Sequence, residues 1–201
     1  MKRIPVSWLG DLAFCEYQVY LEHVKGVDAG EKPERRQDRE ARVGRDEVYQ
    51  SIAELGLSVS QALEKAQGEG LALSARGVSV EGADLVGCID EIIFMADRIL
   101  IVDDKPDDIA WPSSRMQAWG YCLAFEQHYA PRLPLMAGIR SSDTAFEIWA
   151  QPFGQEHREE VRRAVFRIRQ ILDGEVLAVG TRNRRKCRVC RFGASCDARS
   201  L

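Results

Sequence analysis

Three features of this sequence predict a mixed α/β fold. Apolar, β-rich runs cluster between Leu71 and Asp103, a segment with helical spacing follows from Ser113 to Phe125, and two more strand-like runs precede a long amphipathic stretch from Gln155 to Leu172. Strands and helices therefore interleave, as they do around a central sheet flanked by helices. A chain of 201 residues is most economically one domain, 1–201, with attached terminal elements.

In chain order, Ser7 to Val24 is expected to be a helix. Ser7 is its cap, and Trp8, Leu9, Leu12, Phe14, Val19 and Leu21 give a broad apolar surface with Cys15 inside the helix. Asp28 to Arg42 is charged and contains Gly30 and Pro33, which suits an exposed connection. A helix from Arg39 to Leu55, ending near Gly56, and a shorter one from Ser60 to Gln67, stopped by Gly68-Glu69-Gly70, come next. Leu71 to Val80, Leu85 to Met95 and Arg98 to Asp103 are three strands, and the tight Ala96-Asp97 connection makes them an antiparallel meander. Ser113 or Ser114 caps the next helix, where Met116, Trp119 and Leu123 form the apolar face. Strands at Leu135 to Arg140 and Ala145 to Gln151, an Arg-rich helix at Gln155 to Leu172 and a cysteine-bearing tail complete the order. There is no internal repeat and no low-complexity segment.

A net charge of −3 argues against coating nucleic acid by bulk charge, yet the tail carries Arg182, Arg184, Arg185, Lys186, Arg188 and Arg191 with no acid among them. No apolar run approaches membrane-spanning length, and no signal region is visible at the start, so a cytoplasmic protein is expected. Six cysteines in such a protein point to metal or redox chemistry before disulfides. Cys187, Cys190 and Cys196 lie close in sequence and Cys15 is distant, while Cys88 and Cys122 fall in apolar runs and are expected to be buried thiols. Four thiolates suit tetrahedral zinc or an iron–sulfur cluster; one close pair with a lone distant partner favours the cluster.

The chemistry concentrates at Val102-Asp103-Asp104-Lys105-Pro106. On a strand, Asp103 and Lys105 project from one face, and Pro106 removes an N–H where the strand should stop. Asp90, on the preceding strand, supplies a second carboxylate, so the pair suits a hard cation such as Mg²⁺ or Mn²⁺. On the helix after the meander, Gln117 and Tyr121 are four residues apart and share a face. His23, His128 and His157 fall where structural or solvated roles are expected. Arg158, Arg162, Arg163 and Arg167 with the basic tail suit phosphates, and Trp111 or Tyr121 suits base stacking.

These residues resemble, from Cys15 to Cys196, the CRISPR-associated Cas4-family RecB-like exonucleases of the PD-(D/E)xK superfamily. The matching elements are Gly87-Cys88-Ile89-Asp90, Asp103-x-Lys105, Gln117-x₃-Tyr121, and Cys15 with the Cys187/Cys190/Cys196 trio. The resemblance implies a restriction-endonuclease-like fold, with a 4Fe–4S cluster joining the N-terminal helix (about 7–24) to the C-terminal tail (about 180–201). It also implies catalytic roles for Asp90, Asp103, Lys105, Gln117 and Tyr121, with Mn²⁺ or Mg²⁺ on Asp90 and Asp103. The implied activity is metal-dependent exonucleolytic hydrolysis of single-stranded DNA, processing prespacers beside the Cas1–Cas2 integrase in antiviral defence, with Arg182, Arg184, Arg185 and Lys186 as DNA contacts. One departure stands out: the family's histidine ligand on the helix before the strands is missing from Val43-Gly44-Arg45-Asp46-Glu47-Val48, where Asp46 or Glu47 takes its place. Asp46 is therefore carried as a third metal ligand. A catalytically weakened DNA-binding adaptor is the alternative.

Overall fold

The computed structural model describes residues 2–29, 49–106, 108–142, 144 and 147–198. It is a mixed α/β structure, and among the described residues seven strands form one sheet in the order β2-β3-β4-β5-β6-β7, with β1 added alongside β4. The strands are β1 (Ile4–Pro5), β2 (Gln50–Ser51), β3 (Leu73–Glu81), β4 (Leu85–Phe94), β5 (Ile99–Lys105), β6 (Leu135–Ser141) and β7 (Glu147–Pro152). The helices are α1 (Ser7–Phe14), α2 (Glu16–His23), α3 (Val59–Glu69), α4 (Pro112–Tyr129), α5 (Gln155–Leu172) and α6 (Arg184–Val189).

β3, β4 and β5 are the expected antiparallel meander. The α4 crossover returns the chain parallel to β5 as β6, and β7 pairs back antiparallel. Five positions of β5, Ile99 to Asp103, are buried, as befits a strand paired on both sides. α4 lies against β3, β4, β5 and β6, and α1 and α5 pack on α4 in turn. The main core fills that side of the sheet with Leu73, Ile89, Ile92, Phe94, Ile99 and Ile101 against Leu9, Leu123, Phe125 and Ile168. On the opposite side a small apolar group, Ile93, Leu100 and Val102, shares the surface with charged residues.

Several local expectations are corrected. The Ser7–Val24 helix is two helices, because Cys15 is extended (φ −166°, ψ 115°) and its carbonyl instead accepts the Gln18 N–H as the start of α2. Val6, not Ser7, holds the cap position of α1. Residues 50–55, expected to end a helix, are strand and turn: Gln50 and Ser51 pair with β3, and the Ile52 N–H donates to the Ser74 carbonyl. Gly56, at φ +64°, closes that turn. Most of the expected Arg39–Leu55 helix, and all of Asp46 and Glu47, lie outside the described residues. α3 begins one residue before its expected start, since Ser58 and Gln61 form a reciprocal capping box, and Gly70 ends it in the left-handed conformation. Trp111 precedes α4, with Pro112 at its first turn, so Ser113 and Ser114 lie inside the helix. Cys88 is exposed rather than buried, because its register partner Ser79 faces solvent too.

The α1–α4 crossing holds the site together, and a small residue sets its distance. A Cβ on Gly120 would lie 2.4 Å from Leu9 Cδ1 and 3.1 Å from Val6 Cγ1. Gly120→Ala is therefore expected to destabilise the protein by about 1–3 kcal/mol through overpacking, despite alanine's better helix propensity. In a Leu9→Ala background the same change is expected to cost nothing. Urea unfolding of the four proteins measures this coupling, and a strictly additive cycle would refute the close approach.

Candidate active site and cysteine cavity

The site forms where two strands part. β4 and β5 pair regularly from Phe94↔Ile99 to Glu91↔Val102, and the next positions in that register are Asp90 and Asp103. There the ladder stops: the Asp90 carboxylate accepts the Asp104 backbone N–H at 2.9 Å, and the start of β4 pairs instead with β1. The two acids thus occupy adjacent register positions at the mouth of a fork.

Lys105, two residues beyond Asp103 on the same face, places its Nζ 2.7 Å from the Asp103 carboxylate and donates to Gln117 Oε1 at 3.0 Å. Gln117 Nε2 donates to the Tyr121 hydroxyl at 3.3 Å, which turns the amide oxygen toward the lysine. Gln117 and Tyr121 are one helical turn apart, as their spacing requires. Asp103 is fully buried, so its charge depends on these neighbours. Glycines admit the two helical side chains: a Cβ on Gly87 would lie 2.8 Å from Tyr121 Cε1, and one on Gly10 3.3 Å from Gln117 Oε1. Four of the five residues expected to be catalytic, Asp103, Lys105, Gln117 and Tyr121, are therefore in contact in series, and Asp90 holds the position beside Asp103 in the strand register. Tyr121 is buried, which leaves its ring no face for a base, whereas Trp111 is about half exposed at the start of α4.

On the reverse face of the same strands lies a charge network that sequence reasoning missed. Arg140 donates from Nε and Nη2 to the Asp104 carboxylate at 2.8 and 3.0 Å and from Nη1 to Glu91. Arg76 Nε reaches the other Glu91 oxygen at 3.2 Å. Burial alone would lower the Arg140 pKa, but its hydrogen bonds with Asp104 and the charge of Glu91 outweigh it and hold the guanidinium above its ordinary value. The sequence signal was the alternation itself: Glu91 and Asp104 each follow a site acid and must face the other way.

The second feature is a cavity of about 20 Å³, too small for an organic cofactor, bordered by Cys15, Cys187, Cys190 and Cys196. Cys15 reaches it because the α1–α2 break extends its backbone. Cys187 lies on α6, a short helix capped by the Asn183 side chain, and Cys190 follows its end. Gln18 Nε2 donates to Cys190 Sγ at 3.2 Å, and the Thr181 N–H donates to Cys15 Sγ at 3.3 Å. Burial pushes the Cys196 thiol up, a backbone hydrogen bond at Ala198 partly offsets it, and the negative charge that Cys190 and Cys15 would carry adds a smaller push that a bound cation would reverse. Among the described residues no three His, Cys, Asp or Glu side chains are grouped at metal-holding distance. The donor set nonetheless suits a soft metal centre: four thiols border one small, mainly apolar space.

The arginines divide by their partners. Arg158 is held by Glu126 and the Phe153 carbonyl, Arg167 by Glu16 and the Leu177 carbonyl, and Lys186 by the carbonyls of Ala13 and Phe14 at the end of α1. Arg162, Arg163, Arg182, Arg184, Arg185 and Arg188 are exposed, while Arg191 binds Asp11 and Glu22. None of the histidines lies in the fork. His23 stacks on Trp8, His128 accepts the Glu81 N–H, and His157 caps α5 through the Gly154 N–H.

The fold and the fork define a mixed α/β protein with a carboxylate–lysine centre. Among solved structures it is similar to the crystal structure of SSO0001, at 15% identity over 99% of this chain and 88% of that chain, with a TM-score of 0.44. No protein-family model matches the chain, and no curated protein matches it in sequence. Among the described residues no helix is long and apolar enough to cross a membrane.

Glu16, beside Cys15, ties the two chain ends together by accepting from Arg167 Nε and Nη2 and from the Val179 N–H. Burial raises its pKa, but the Arg167 and Val179 hydrogen bonds and the Arg167 charge outweigh that and leave it below the ordinary value. A depressed carboxylate contributes stability above its unfolded pKa of about 4.3 and loses it as pH falls through the folded value. Glu16→Gln is expected to cost up to about 1 kcal/mol at pH 7. The gap from wild type should close in thermal melts near pH 3, and a gap that persists there would contradict the assignment.

Proposed function

We propose that this chain is a Mg²⁺- or Mn²⁺-dependent DNA exonuclease with a restriction-endonuclease-like, RecB-like core and a 4Fe–4S cluster, acting on single-stranded DNA in CRISPR prespacer processing beside the Cas1–Cas2 integrase. The observation that carries the reading is the contact series Asp103–Lys105–Gln117–Tyr121 with Asp90 across the fork. Four residues matched by a sequence resemblance alone are joined in series by ion-pair and hydrogen-bond distances, and the fifth, Asp90, is bonded to the backbone of the Asp103 strand at Asp104.

Asp90 and Asp103 are the residues that would hold the cation, with water and phosphate oxygens filling its other positions. When bound, the cation supplies charge neutralisation at the phosphate and a water of lowered pKa. Lys105 is the catalytic donor: its ammonium, desolvated beside Asp103, stabilises negative charge developing on the phosphate or directs the attacking water. Gln117 is a positioning residue whose Oε1 accepts a hydrogen bond from Lys105 and so aims the ammonium, and Tyr121 fixes which way the Gln117 amide turns. Cys15, Cys187, Cys190 and Cys196 would hold the cluster, whose role is to close a long chain loop. Arg182, Arg184 and Arg185, which are exposed, would meet the DNA backbone, whereas Lys186 fastens α6 to α1.

The test is cleavage of end-labelled single-stranded DNA with Mn²⁺ by anaerobically purified protein. Lys105→Ala is expected to lose at least about 100-fold in rate with its fold and DNA binding retained. Equal cleavage by that variant removes the mechanism; inactivity of the wild type with its metal centre intact replaces it with the DNA-binding adaptor.

For the cysteine cavity, Cys190→Ser is expected to bleach the visible absorbance and lower the melting temperature. A colourless wild type with stoichiometric zinc would replace the cluster by a zinc site.

A further inference from the structure

The fork has an unusual mechanical problem. Backbone pairing between β4 and β5 ends at Glu91↔Val102, one position short of the two acids, so the ladder does not set the distance between Asp90 and Asp103. Each acid is nevertheless followed by a residue that points through the sheet to the reverse face, Glu91 after Asp90 and Asp104 after Asp103. Arg140, in register with Asp104 on β6, grips both: a bidentate fork onto Asp104 and a third N–H onto Glu91. A single guanidinium therefore spans β6, β5 and β4 at the level where the ladder stops. Glu91 is almost fully buried, and the Asp104 and Arg140 side chains are only 7% and 12% exposed, so water competes weakly for these bonds. Arg76 closes the row from β3 by holding the second Glu91 oxygen.

We infer that Arg140 is a positioning residue for the cation site, setting the separation of Asp90 and Asp103 from the opposite face of the sheet. The inference rests on the nuclease reading insofar as those two carboxylates hold the metal. The planar fork matters as well as the charge, because lysine offers one point donor and cannot bind Asp104 bidentately while reaching Glu91. Loss of the clamp leaves both acids present, with the Asp90–Asp104 N–H bond as the remaining described tie between their strands at this level. Such outer partners of metal ligands typically control affinity by 10- to 100-fold.

The test compares wild type, Arg140→Lys and Glu91→Gln in three measurements on the full chain: Mn²⁺ affinity by electron paramagnetic resonance, the Mn²⁺ dependence of cleavage, and amide exchange of the β4 and β5 segments. Arg140→Lys is expected to need roughly tenfold more Mn²⁺ for half-maximal binding and cleavage, with most of the rate recovered at saturating metal. Exchange should quicken around Asp104 while distant strands stay protected. Glu91→Gln, which leaves the bidentate Asp104 contact in place, should shift the same readings less, and it carries the test if Arg140→Lys does not fold. Unchanged Mn²⁺ affinity in a folded Arg140→Lys protein, with exchange accelerated, would make the network structural only and overturn the inference. A wild type that binds no Mn²⁺ would overturn the nuclease reading itself, and this inference with it.

Discussion

The parting of β4 from β5 is the constraint from which the site follows. Paired strands leave about 5 Å between neighbours, with their N–H and C=O groups spent on each other. Once the pair opens, backbone donors at the fork need new acceptors, and the Asp90 carboxylate takes one of them, the Asp104 N–H. β1 takes over the freed edge of β4, so the opening adds little unpaired backbone to the interior. An acidic cleft between sheet strands is thereby made from ordinary strand geometry. α4 then lays Gln117 and Tyr121 over it, with Gly10 and Gly87 leaving the room those side chains occupy.

The two sides of the sheet divide the labour at this level. One side holds Asp90, Asp103 and Lys105 among the main core and α4; the other holds Arg76, Glu91, Asp104 and Arg140 beside a few apolar residues. Strand alternation makes the arrangement compact, because adjacent residues can serve opposite faces. It also makes the two sets inseparable mechanically, since a shift of Asp104 moves Asp103.

Much of this was legible beforehand. The order of strands and helices, the meander and the shared face of Asp103 and Lys105 follow from period-two and helical spacing, which are local properties. The α1–α2 break was not legible, because no proline or glycine marks Cys15 and an apolar surface runs across it; the extended backbone there places the thiol in the cavity. β1 and β2 are two residues each, too short for alternation to register, and exist through pairing with β4 and β3. Arg140 stands in the sequence only as the last residue of an expected strand. Its importance lies in a register with Asp104 and a reach to Glu91, distances of 36 and 49 positions along the chain that no local pattern encodes.

The joining of the chain's beginning to its end also bears on how the protein is made. Cys15 and Glu16 find their partners in the segment from Arg167 to Cys196, so during synthesis at about 5–20 residues per second they wait roughly 8–35 s for those partners to emerge. Over that interval α1 and α2 can settle on the growing sheet only through their apolar faces, while the Cys15 thiol has no tail thiols to meet. A chain stopped short of Cys187 would therefore carry the full fork, with Glu16 held by Arg167 and Val179 but Cys15 without its three partner thiols.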